Sequence, residues 1–113
     1  MKTKGPDNIV TRVDAVELCR IFNEGQYVEK AARGELQMIV KKSRDAQMTF
    51  IRNWVPGTQS QEVHFLDADN NLVAKAHRFL RPDGTLAASG MVDPKRVFSD
   101  GKWYGLVSPD PDA

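Results

Sequence analysis

Three turn signals, DADNN at residues 67–71, RPDG at 81–84 and SDG at 99–101, and a further break at Asp93-Pro94-Lys95 cut the second half of the chain into short runs rich in β-branched and aromatic residues. Runs bounded so tightly pair with their neighbours in the antiparallel sense, because a parallel pair needs a crossover connection of a dozen or more residues. VHFL, LVAKAHRFL, TLAASGM, RVF and KWYGLV are therefore expected as successive strands of a meander. Pro82-Asp83-Gly84 suits a type I turn followed by a glycine at positive φ. Asp100-Gly101 is a strong two-residue hairpin signal.

The first half has a different period. Ala15, Leu18, Cys19 and Phe22 fall at i, i+3, i+4 and i+7, one apolar stripe of a helix that Val16 would widen. Thr11 is expected to cap it, with Asp14 three residues on as an acidic variant of the capping box. Gly25 is expected to end it in the left-handed conformation. Residues 26–33 suit a second short helix with Tyr27 and Ala31 facing in. LQMIVKK reads as a strand, although periodicity alone does not separate strand from helix in so short a run. Lys42 to Asp45 reads as a turn, and QMTFIRNW as a strand closed by Pro56-Gly57. The expected fold is α+β: an N-terminal helix, or two, packed on an antiparallel β-meander of about five to seven strands. Residues 10–107 form the single domain, and the polar, proline-containing ends at 1–9 and 108–113 are expected to be loose.

Composition narrows the function classes. Sixteen basic residues against fifteen acidic ones leave a net charge of +1, so nucleic-acid binding would need a local patch rather than a general field. No apolar run approaches the roughly 18 residues of a membrane helix, and MKTKGPDNIV lacks the apolar core of a secretory signal. Cys19 is the single cysteine, which excludes an internal disulfide, fits a reducing cytoplasmic setting and reads better as a small core residue than as a nucleophile.

Metal sites fail on spacing. Asp67-x-Asp69-x-Asn71 matches the opening ligands of an EF-hand loop, but Leu72 stands where glycine is needed and Arg78 where a bidentate glutamate is needed. Two histidines without a third nitrogen or sulfur ligand make a poor zinc set, with only Glu62 to complete it. No metal or cofactor is expected.

Both histidines lie on the run from Glu62 to Thr85. A two-residue loop at Asn70-Asn71 puts His64 opposite His77, whereas a four-residue loop from Ala68 to Asn71 puts His64 opposite Lys75. Either way Glu62, His64, Lys75 and His77 share one face, and an odd loop separates the histidines. Those four are the candidate catalytic residues. Two imidazoles beside a lysine suit acid–base cleavage of RNA or a related hydrolysis without metal. Centring the next turn on Pro82-Asp83 places Ala88 opposite His77 and Leu86 opposite Phe79.

Aromatic excess offers another route: Trp54, Phe79, Trp103 and Tyr104, with the small Ala88, are candidates for lining a ligand cavity. Lys41, Lys42, Arg44 and Arg52 are candidates for a nucleic-acid patch, with surface lysines beside a turn as the plainer explanation. The preferred reading is a small binding or interaction module, homodimeric through sheet faces or edges, recognising a small molecule or a protein. A His64/His77 hydrolase is the alternative and nucleic-acid binding the third.

HRFLRPDGT, MVDPK and DGKWY, taken together, resemble short bacterial proteins of unknown function that carry similar L-R-P-D-G and D-P-K signals. The resemblance spans the C-terminal half and implies no activity.

Overall fold

A computed structural model of the chain describes residues 2–3, 10–46, 55–87 and 91–106. The elements in chain order are β1 (Lys2–Thr3), β2 (Val10–Val13), α1 (Ala15–Glu24), α2 (Tyr27–Ala32), β3 (Gln37–Asp45), β4 (Gln59–Leu66), β5 (Asn71–Leu80), β6 (Asp93–Ser99) and β7 (Lys102–Leu106). The strands form one sheet in the order β2-β7-β6-β5-β4-β3, with β1 pairing parallel to the start of β5. From β3 to β7 every pairing is antiparallel, and β2 closes the path in parallel with β7. The fold is α+β, as the alternation of periods predicts. No helix among the described residues is long and apolar enough to cross a membrane.

Local chemistry sets the helix boundaries. Asp14, not Thr11, is the N-cap of α1: its carboxylate accepts the Glu17 N–H at 2.8 Å. Thr11 is drawn into β2, where it pairs with Tyr104 of β7. Leu18 and Phe22 are the buried residues of α1, while Val16 is 81% exposed and does not widen the stripe. Gly25 keeps right-handed geometry (φ −75°), and the left-handed reversal falls on Gln26 (φ 54°). Gly25 is needed for a different reason, because a Cβ there would stand 2.3 Å from the ring of Tyr27.

The sheet has two unlike faces. On one, Leu18, Phe22 and Tyr27 pack on Val63, Phe65, Ala74, Ala76 and Val97. Phe22 and Tyr27 stack at 5.3 Å, and both meet Phe65 edge-on at 5.8 and 6.4 Å. Burial pushes the Tyr27 phenol up to about 12, and its hydroxyl donates to the Phe98 carbonyl at 2.6 Å. On the other face Leu66, Leu72 and Trp103 form a second cluster with Val10, Ile39 and Phe98.

Several sequence expectations are corrected here. Lys42 to Asp45 is not a turn but the continuation of β3, which runs nine residues with a bulge between Val40 and Lys42. The turn after β5 holds one residue more than expected: Leu80, not Phe79, bridges Leu86, with Gly84 (φ 89°) as the extra residue. The strand expected over residues 47–54 and the tail from 108 lie outside the described residues.

The two residues at the α1–α2 junction should respond oppositely. Gly25→Ala forces a methyl into the Tyr27 ring and is expected to lower stability by about 1–3 kcal/mol. Gln26→Gly relieves a left-handed backbone and is expected to raise it by about 1 kcal/mol. Urea midpoints of the two variants check both signs.

Candidate functional site on the polar sheet face

The loop after β4 determines which residues meet. Asp67 accepts the N–H groups of Asp69 and Asn71 at 2.9 Å each, and its own N–H donates to the Asn71 carbonyl. This Asx turn, with Asn70 at φ 67°, closes an odd loop that leaves Leu66 opposite Leu72, and the bulge between Phe65 and Leu66 shifts the strands beyond it into an even register. His64 then stands opposite Lys75 and Glu62 opposite His77. All four share the face turned away from the helices, since Val63, Phe65, Ala74 and Ala76 occupy the helix side. The histidines are diagonal neighbours, with Cβ atoms roughly 7–8 Å apart in such a register.

Each imidazole has its own partner. His64 Nε2 and the Glu62 carboxylate are 2.8 Å apart, and His77 Nε2 and the Ser60 hydroxyl are 2.7 Å apart. Phe79 meets the His77 ring edge-on at 4.7 Å. His64 is 6% exposed. Glu62 can only accept, so Nε2 of His64 carries the proton and Nδ1 presents a lone pair. That Nδ1 is buried and has no hydrogen-bond partner. Burial, which outweighs the raising effect of Glu62, lowers the His64 pKa below its ordinary value, and Lys75 and Lys41 lower it further. His64 is thus held neutral.

Neighbouring strands complete the patch. On β3, Lys42 is opposite Glu62 and Arg44 opposite Ser60. On β6, Asp93 is opposite His77 and Arg96 opposite Lys75. Lys41 occupies the β3 bulge, and Lys41, Lys42 and Arg44 are all exposed. Arg52, Trp54 and Ala88 lie outside the described residues. No group of three or more His, Cys, Asp or Glu among the described residues is placed to hold a metal ion.

The aromatic candidates divide. Trp103 is 1% exposed and packs 5.4 Å from Phe98, so its indole serves the second apolar cluster. Tyr104 lines a groove of about 400 Å³ between α1 and the β6–β7 hairpin, with Val13, Ile21, Ser99 and Asp100. Arg20 in that groove is occupied by Glu17 and by Glu24, the latter at 2.7 Å. Cys19 is half-buried on α1.

Ser60, Arg44 and Asp93 escaped the reading of the sequence as members of one site. Ser60-x-Glu62-x-His64 is an i, i+2, i+4 series on a strand, and that period alone places Ser60 beside the other two. A further polar chain on the helix side, Ser43 to Gln61 at 3.2 Å and Gln61 to Arg78 at 2.8 Å, also went unseen. Burial lowers the Arg78 pKa there.

No protein-family model, curated protein or solved structure matches the chain.

The lowered pKa of His64 has a defined sign in stability. The unfolded chain takes up a proton near pH 6.5, the native state only at lower pH, so native stability is complete above that value and falls as pH drops through it. His64→Leu removes this proton uptake. Urea unfolding at pH 7.5, 6.5 and 5.5 should show a smaller loss of stability on acidification in His64→Leu than in the wild type.

Proposed function

We propose that the chain is a small cytoplasmic binding module that takes an anionic ligand on the polar face of its sheet. The observation that carries this reading is the β3–β4–β5 register, which gathers Lys42, Arg44 and Lys75 around His77 and the Glu62–His64 pair. Glu62 is the carboxylate nearest this group on β4, and its charge is already directed at His64. Lysine and arginine on neighbouring strands hold phosphate or carboxylate by charge-assisted hydrogen bonds.

Inorganic pyrophosphate is a suitable probe. In an NMR titration it should shift the resonances of Lys42, Arg44, Lys75 and His77, with binding that weakens steeply as salt is added. Lys42→Ala combined with Lys75→Ala should weaken it about tenfold or more. Shifts that are absent, or unchanged in the double variant, remove the proposal. RNA cleavage by His64 and His77 is the second reading, favoured by their common face. An RNA dinucleotide in the same titration tests it: cleavage that survives either His64→Ala or His77→Ala excludes it.

The homodimer stands lower. Among the described residues no strand pairs with the outer edge of β3, an opening that a second copy can cover. Yet Lys41, Lys42 and Arg44 charge that edge, so a two-fold copy would bring like charges together. Sedimentation equilibrium at low and high salt decides the matter, since an edge-paired dimer would strengthen with salt.

A further inference from the structure

We propose that Ser60 is a nucleophile activated by His77, making the β3–β4–β5 corner of the polar face a site for hydrolysis of small neutral carboxylic esters. This inference is independent of anion binding.

The geometry has the parts that acyl transfer needs. The Ser60 hydroxyl is 2.7 Å from His77 Nε2, within reach for direct proton transfer. The His77 ring is steadied by the edge contact with Phe79 at 4.7 Å. Glu62 on β4 and Asp93 on β6 stand opposite His77 from either side. Glu62 is engaged by His64, so Asp93 is the carboxylate-bearing position left to face an imidazolium formed there. Arg44 of β3 is paired with Ser60, and its exposed guanidinium can meet negative charge growing on a carbonyl oxygen. Both Ser60 and His77 are half-buried, beside the exposed edge strand β3. Ser43, by contrast, faces the helix side and bonds to Gln59 and Gln61.

The chemistry balances with water as the only co-reactant. Ser60 Oγ attacks the ester carbon as its proton passes to His77 Nε2. The carbon–oxygen bond to the alcohol then breaks, and the departing alkoxide takes that proton and leaves as alcohol. Water adds to the acyl-Ser60 ester, giving a proton to His77. The Ser60 oxygen leaves, recovers the proton, and the carboxylic acid is released.

Diisopropyl fluorophosphate tests the first step directly: a bond forms from Ser60 Oγ to phosphorus, phosphorus–fluorine breaks, and fluoride leaves. Intact-mass spectrometry of the full chain should show one diisopropylphosphoryl adduct, located by peptide mapping at Ser60. The adduct should be lost in Ser60→Ala and kept in Ser43→Ala. In His77→Gln it should form about 100-fold more slowly or worse. Turnover of p-nitrophenyl acetate should follow the same order. Absence of an adduct in the wild type, an adduct at another residue, or equal labelling of His77→Gln overturns the proposal. Because the wild-type map alone can refute it, no variant that fails to fold can shield it.

Discussion

The pairing of β4 with β5 is the constraint from which the rest of the molecule follows. These central strands carry the helix-side residues Val63, Phe65, Ala74 and Ala76 and, alternating with them, Ser60, Glu62, His64, Lys75 and His77. Sliding one strand by a single residue would exchange its two sets. Glu62 and His64 would then lie beneath Phe22 and Tyr27, and Val63 and Phe65 would face the polar patch. Burying a carboxylate and an imidazole without partners costs several kcal/mol, so the register is strongly held. Asp67 makes it locally specific by tying two N–H groups of the loop to one carboxylate.

Side-chain size then sets how closely the layers approach. Ala74 and Ala76 leave room on the centre of the sheet, and Phe65 fills it with its ring against Phe22 and Tyr27. Register shifts at Val40/Lys42, Phe65/Leu66 and Lys75/Ala76 interrupt three successive ladders. Bulges bend and twist the strands that carry them. One of them seats Lys41 on the edge strand. Another, on β6, lets Asp93 and Arg96 both join the patch while Pro94 turns to the buried side.

How much of this was legible depended on whether one local interaction could decide it. The α+β class and the hairpin at Asp100-Gly101 follow from period and turn chemistry and hold in the structure, whereas the four candidate residues share a face only because of the bulge between Phe65 and Leu66. Thr11 was misread because its capping propensity competes with pairing to Tyr104 in β7, a contact 93 positions away that no local pattern carries. Gly25 was assigned left-handed geometry, whereas the true demand on it is the Tyr27 ring. Lys42-Ser43-Arg44-Asp45 looked like a turn because every residue is polar, and polarity is also what an exposed edge strand shows. For the site, the loop is odd, which by itself would separate the histidines, and the bulge between Phe65 and Leu66 that reunites them carries no local signal. Ser60 lies before the run from Glu62 to Thr85 and joins the site only through the period of β4.

The two histidines therefore have different surroundings. His64 stands opposite Ile39 and two positions before Leu66, at the border between the second apolar cluster and the polar patch. Its proton is directed at Glu62, its other nitrogen is buried, and its charge is suppressed by desolvation. A group so enclosed can orient Glu62 and form a wall, but it has little means of exchanging a proton with anything outside. His77 is half-buried, shares a hydrogen bond with a hydroxyl, and has carboxylate-bearing residues opposite it on both neighbouring strands. The half-buried His77–Ser60 pair is thus the part of this face open to proton exchange, beside a Glu62–His64 pair in which the imidazole is buried and the carboxylate half-exposed.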